Sequence, residues 1–404
     1  HFTIFSHYYV FFLIQENVTK TAKYARILTR KSQKETSMKS THKEELYIKQ
    51  DPLTDLIFDD HSIFFDIETT GFSPATSTLY MIGCARKSGK YICVDQFFAE
   101  NPGEECLILN AFLEVLNQYD TIISFNGVGF DIPFLKAKCD QYDLPEHFKQ
   151  YNYLDIFKSV SELKFLLKLP NYKQKTIESF LGLSRDDKQT GGELINVYHE
   201  YVKHPSHETY RLLHLHNYED VICMIDLLPV LSYIEIFNGQ YTLLSTRVDT
   251  YHRFDGTNGR ELIITMKNDY PVPKRISHKL SDFYLMISKS RTSIRVPVYE
   301  GELHYFYANY KDYYYLPQED MAVHKSVASY VDKDFRENAR AANCYTRKSG
   351  AFLPQSSSVM QPEFRKEYKD KFSYFELTDD FCGSDVMLRR YVDHILKYMF
   401  TTKK

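Results

Sequence analysis

Phe64-Phe65-Asp66-Ile67-Glu68-Thr69-Thr70-Gly71 is the stretch on which the fold turns. The apolar run Ile63–Phe65 predicts a buried strand, with Asp66 and Glu68 two residues apart near its end. A side-chain period of two sets both carboxylates on one face of a sheet. Like charges held that close are costly unless a cation lies between them. Hard oxygen ligands on a rigid strand suit Mg²⁺ or Mn²⁺. On its own an Asp-x-Glu is better read as a strand end with two solvated acids, so the rest of the chain decides.

Two more acids fall in contexts that fit the same site. Thr121–Phe125 reads as a strand and Asn126-Gly127 as its turn, which puts Asp131 at the N-terminus of a helix carrying Ile132, Phe134, Leu135 and Cys139. Pro133 suits that first turn, where a missing N–H costs nothing; an ordinary N-cap is the plainer reading of Asp131. Asp220 lies on a long helical stretch beside the apolar positions Leu212, Leu213, Val221, Met224, Ile225 and Leu228. Around these acids, strands are expected near 62–67, 78–86, 90–98 and 120–125, with a helix near 103–118. Helices follow near 131–142, 155–168, 174–181, 192–203 and 206–236.

Asp-x-Glu, then Asp, then Asp resembles the DEDD exonucleases, which share the ribonuclease H-like fold. The chain is similar to one branch of them, the bacterial YprB-like ribonuclease H-like domain proteins, which are predicted exonucleases. The likeness rests on DIETTGF at 66–72, SFNGVGFDIPFL at 124–135 and HNYEDV at 216–221, reinforced by KQKTIESFLGL at 173–183 and RDDKQTGGELINVY at 185–198. It covers roughly residues 58–235. The resemblance implies an α/β fold, a ribonuclease H-like mixed sheet flanked by helices. It also implies that Asp66, Glu68, Asp131 and Asp220 hold two divalent ions, Mg²⁺ or Mn²⁺. Such ions, about 4 Å apart, would clamp the attacking and leaving oxygens of a phosphodiester displacement. The expected activity is 3′–5′ exonucleolytic hydrolysis of single-stranded DNA or RNA from a 3′ end.

The attacking water needs a base. Better-known relatives carry Tyr four residues, or His five residues, before the last Asp; here those places hold His216 and Leu215. His216 is therefore the expected base, since an imidazole titrates near neutrality, with His214 the second candidate and Tyr218 a weaker one. Thr69, Asn126 and Lys175 are candidate contacts to nucleic acid, Asp155 a candidate supporting acid, and Gly191-Gly192-Glu193 a candidate phosphate-binding helix start. Ordinary capping or solvation is the preferred reading of each of these. Asn-Gly, for instance, is simply a good turn.

The formal net charge of −3 is unevenly spread: residues 55–240 carry 15 Lys+Arg against 27 Asp+Glu, and residues 241–404 carry 26 against 21. An acidic half beside a mildly basic one suits a polyanion partner. Beyond residue 240 short β-like stretches dominate, at 241–253, 261–267, 283–288, 293–299 and 302–309, with helices at 324–329 and 385–399. We expect a β-rich α+β C-terminal domain over 241–404 after a ribonuclease H-like domain over 55–240. Tyr305, Phe306, Tyr307, Tyr310, Tyr313, Tyr314 and Tyr315 either stack bases of a single strand or line the inner face of a sheet. Residues 342–355 read as a turn-rich basic loop.

Residues 1–54 are expected to be an N-terminal extension, with 1–37 outside the natural protein or forming a disordered or loosely helical extension. His1–Ile14 is apolar but too short to span a bilayer and lacks the basic start of a signal peptide, so a cytoplasmic protein with no membrane partner is expected. The seven cysteines form no Cys-x-x-Cys pair and read as reduced core residues. The sequence holds no Gly-rich phosphate loop, internal repeat or Gly-x-Ser-x-Gly elbow. Two other readings compete with the exonuclease: a catalytically weak or inactive nucleic-acid-binding protein of the same fold, and a structure-selective endonuclease.

Overall fold

The computed structural model describes residues 38–48, 51–252 and 255–402; the expectation for residues 1–37 lies outside them. The first half is a six-stranded mixed sheet built from β1 (Lys39–Leu46), β2 (Ser62–Thr69), β3 (Leu79–Ser88), β4 (Tyr91–Phe98), β5 (Thr121–Ser124) and β6 (Asn152–Asp155), in the order β1-β4-β3-β2-β5-β6. β1 to β4 pair antiparallel, while β2–β5 and β5–β6 pair parallel. β2 is central because it is apolar on both faces. Ile63 and Phe65 pack against helices α1 (Glu105–Leu116) and α2 (Asp131–Gln141). Phe64, on the other face, meets Val221 and Met224 of a long helix, here α5 (His207–Leu227). Between them in the chain come α3 (Gln174–Leu181) and α4 (Gly191–Lys203). The result is the ribonuclease H-like mixed sheet between helices.

Three local expectations are corrected. Lys39–Leu46, placed in an extension, is an edge strand paired residue by residue with β4. The helix expected over 206–236 ends at Leu227, passes through a 3₁₀ turn at Leu228–Leu231 and resumes at Ser232–Phe237; Pro229 has no N–H to continue the ladder. The helix expected over 155–168 is two short ones, Ile156–Ser161 and Lys164–Leu167.

The second half opens with a five-stranded antiparallel sheet, in spatial order β7 (Tyr241–His252), β8 (Asn258–Asn268), β11 (Arg291–Pro297), β10 (Phe283–Ser288) and β9 (Ile276–Leu280). Two three-stranded sheets follow: β12 (Tyr299–Phe306) with β16 (Tyr345–Gln355) and β17 (Ser373–Glu376), and β13 (Tyr313–Leu316) with β14 (Met321–His324) and β15 (Glu337–Asn338). Helix α6 (Asp385–Thr401) closes the chain. The basic loop expected at 342–355 is instead the central strand β16. Its cations are matched by acids across the sheet, Lys348 Nζ lying 2.6 Å from Glu376 and Arg347 3.5 Å from Glu302. Tyr307, Tyr310, Tyr313 and Tyr315 pack around Ala322, Ala339 and Cys344, with Tyr307 stacked on Tyr313 at 4.5 Å.

One apolar cluster runs through both halves, from Phe64, Ile123 and Val221 to Leu262, Ile264, Leu285, Tyr391 and Met399. All seven cysteines are free thiols, and no helix among the described residues is long and apolar enough to cross a membrane.

Candidate metal centre

β2 and β5 run parallel only as far as Phe64, which is opposite Ile123. Past that point the backbone of β2 has no strand partner on this side, and Asp131 Oδ1 accepts the free N–H of Ile67 at 3.2 Å. The turn that delivers Asp131 is shaped by buried Asp155. Its carboxylate accepts the N–H groups of Asn126 (3.0 Å), Val128 (3.2 Å) and Lys158 (3.1 Å). Asn126 itself adopts φ 66°, a left-handed turn conformation that Asn tolerates.

Asp66 and Glu68 share the face of Phe64 and so point toward α5. Opposite Asp66 on β3 stands Gly83. A Cβ there would fall 2.1 Å from Asn217 Oδ1, so the glycine makes room for Asn217 to lie across the strands. Asn217 is fully buried; it receives a hydrogen bond from Gln96 Nε2 (3.0 Å) and donates to the backbone and side-chain oxygens of Asp66 (each 3.4 Å). One turn along α5, Asp220 is held from two sides. Arg185 donates to its Oδ1, and His216 Nε2 lies 3.1 Å from its Oδ2. The same Arg185 is paired with Glu178 of α3 through both its Nε and Nη2.

His216 is 5% exposed. Its Nδ1 lies 2.7 Å from Asp187 Oδ2, and its Nε2 is also 3.7 Å from Glu68 Oε1. Asp187 is in turn bound by Lys175 Nζ at 2.8 Å, so this lysine is committed to Asp187 and to the Gln189 carbonyl (2.6 Å). It sits inside the first turn of α3. Thr69 donates its hydroxyl to the Gly71 carbonyl at 2.8 Å, and Asn126 is exposed beside the Asp131 turn. His214 faces away from the acids: its Nδ1 hydrogen-bonds the Tyr210 carbonyl and its ring stacks on Tyr210. Tyr218 donates to Glu45 on β1 and is also remote from the cluster. Glu193 is spent in a capping box with Thr190 at the start of α4.

Asp66, Glu68, Asp131 and Asp220 thus converge from one strand and two helices. Burial, and then the charges of Asp131, Glu68 and Asp220, hold the Asp66 carboxyl well above the usual carboxylate range. Burial pushes Glu68 up to about 8, with Asp220 and Asp131 adding to it. Asp131 is raised to about 7 by burial, opposed by the Ile67 N–H. Burial works against Asp220 too, but the hydrogen bond and charge of His216 and the charge of Arg185 keep it below its ordinary value. A cluster of acids that cannot all ionise together calls for positive charge. Glu68 Oε1 is buried with no hydrogen-bond partner among the described residues. It also lies in the one group of side chains, Glu68, His216 and Asp220, whose ligand atoms all fall within 4.8 Å of each other in this cluster. The residues fit a divalent cation.

Asn217, Gln96, Arg185 and Asp187 were not singled out by sequence. The signal nearest to hand was the RDDK segment at 185–188, read only as part of a motif.

A sequence model of the RNase H superfamily matches residues 63–232. A protein of Bacillus subtilis (strain 168) named uncharacterized protein YprB is 26% identical over 167 residues, which are 41% of this chain and 40% of that protein. The chain therefore aligns with less than half of that relative's length. Among solved structures, the family B DNA polymerase of Pyrobaculum calidifontis matches with 15% identity, 44% coverage of this chain and 26% of that one, at a TM-score of 0.36. E. coli exonuclease I in complex with a dA16 oligonucleotide matches with 12% identity, 51% and 54% coverage, at a TM-score of 0.27.

Proposed function

Residues 63–232 are a ribonuclease H-like domain of the YprB-like kind, and on that premise we propose that the chain is a metal-dependent 3′–5′ exonuclease. The substrate class is single-stranded DNA or RNA with a free 3′ end. The observation that carries the reading is the convergence of Asp66, Glu68, Asp131 and Asp220 around the unpartnered Glu68 Oε1.

Two divalent cations, when bound, would activate a water and neutralise charge on the departing 3′ oxygen. The chain's own contribution is positioning. Asp66 and Glu68 stand on a strand held by β3 along one edge, just beyond the point where its pairing with β5 ends. Asp131 is fixed by its bond to Ile67, and Asp220 is left with only Oδ2 to offer, because Arg185 occupies Oδ1. Arg185 is balanced by Glu178, and Lys175 by Asp187. Four carboxylates then remain for the cations, and two divalent ions match their charge.

The test is digestion of 5′-labelled linear single-stranded DNA and RNA in Mn²⁺, with Asp66→Ala alongside and a circular strand as control. A ladder shortening from the 3′ end, absent in the variant, with the circle intact, supports the proposal. Nicking of the circle favours an endonuclease, and intact strands despite binding favour a non-catalytic module.

A further inference from the structure

The place of His216, four residues before Asp220, suggested a general base. A base must meet the water it deprotonates, yet this ring is 5% exposed and its Nε2 is turned into the carboxylates. Asp187 fixes that orientation. It is ionised by its partners, Lys175 at 2.8 Å and the Gln189 N–H at 2.9 Å, and a carboxylate only accepts. The hydrogen between it and the ring therefore sits on Nδ1. In the neutral ring, the Nε2 lone pair then faces Asp220 Oδ2 at 3.1 Å and Glu68 Oε1 at 3.7 Å. Three acceptors would then converge on one buried point, where repulsion is relieved either by a proton on Nε2, as when the ring is charged, or by a metal ion that displaces that proton. A carboxylate gripping the far nitrogen of an imidazole is the arrangement by which proteins orient and strengthen a histidine ligand.

We infer that His216 Nε2 is a direct metal ligand, completing a nitrogen–oxygen set with Glu68 and Asp220, and that Asp187 is the positioning residue that aims it. The inference rests on the carboxylate cluster being a metal site. An imidazole suits Mn²⁺, Co²⁺ or Zn²⁺ better than Mg²⁺, which prefers oxygen alone. The site is thereby tuned toward transition metals. Lys175, within α3, belongs to the same arrangement, since it anchors Asp187 rather than nucleic acid.

The test uses the full chain and Mn²⁺ alone, without nucleic acid. Pulsed electron paramagnetic resonance should show a nitrogen coupled to Mn²⁺, and the coupling pattern should change when the protein carries ¹⁵N-labelled histidine. His216→Gln should abolish it. Asp187→Asn should weaken Mn²⁺ affinity by about 10–100-fold, the usual effect of removing such a partner, with the nitrogen coupling retained. Mn²⁺ binding that is lost in Asp66→Asn but shows no nitrogen coupling in the intact protein overturns the ligand role of His216 and leaves the carboxylate site standing. Absence of saturable Mn²⁺ binding, or binding unchanged in both Asp66→Asn and Asp220→Asn, overturns the metal site and the ligand together.

Discussion

Two long helices, one in each half of the molecule, bury a histidine against their neighbours, and the two rings end in opposite states. His216 on α5 faces Asp220, Glu68 and Asp187; although burial pulls the other way, these acids push it up to about 9. His394 on α6 is similarly enclosed, at 8% exposed, but its partners are neutral: Nε2 accepts the Ser356 N–H at 3.0 Å and Nδ1 meets Ser357 Oγ at 3.3 Å. Burial alone brings it down to about 4. Arg390, Asp393 and Lys397 lie exposed on the same helix beside it. Burial therefore does not assign a charge state to a side chain; the groups converging on it do. By that measure the first half is built to concentrate negative charge at one point, while the buried histidine of the second half is a packing element.

The largest effect that would break this contrast belongs to the acids. Asp220→Asn leaves the shape of α5 but removes a charge from the cluster, and hydrolysis of a single strand should fall by at least on the order of 10²-fold. Activity near wild type in a gel assay would show that the convergence of acids does no chemistry. Next comes a buried charge outside the cluster. Lys138 and Glu105 pair at 2.9 Å with both side chains 4% exposed, so Lys138→Met should cost about 3–5 kcal/mol in urea unfolding. A cost under about 1 kcal/mol would mean that Glu105 is satisfied without it, by Tyr142 and the Leu79 N–H.

Smaller still, Gly83→Ala places a methyl where Asn217 lies. We expect about 1–3 kcal/mol of destabilisation, together with lower activity through the shift of Asn217 off Asp66. Full activity would release Asn217 from any part in placing the acid. The mildest prediction is one of pH. His394 is lowered to about 4 in the folded protein against an ordinary 6.5. Its neutral form stabilises the fold fully above about 6.5, and that contribution is lost as pH falls from there toward 4. With screening at the surface it amounts to about 1–2 kcal/mol. His394→Gln should flatten the acid limb of the unfolding curve by that amount. An unchanged limb would place the ring in water.

Much of this was legible because periodicity carries it. An apolar strand with acids two apart declares a shared face, and β2 delivers Asp66 and Glu68 to the side of Phe64 as that spacing requires. Asn126-Gly127 announces its turn, and Asp131 does open a helix. Legibility ends where side chains act without period. Lys39–Leu46 is a strand, yet its polar sequence at the sheet edge has water on much of both faces and alternates nothing. Tyr345–Gln355 looked like a loop because its cations are matched by acids far away in sequence. Asp186 and Asp187 are indistinguishable in the chain; only the path of the segment after α3 brings one of them to the ring of His216. Glu219 reinforces that path by accepting the N–H groups of both.

The apolar cluster shared by Phe64 and Met399 bears on how the molecule comes apart. The strand that presents Asp66 and the last helix of the chain belong to one continuous apolar cluster, so loosening either withdraws support from the whole. Calorimetry should accordingly find one cooperative melting step. The second half would then be a thermodynamic partner of the carboxylate cluster: damage to it would be felt as loss of that site's geometry at high temperature, with no residue of the site itself altered.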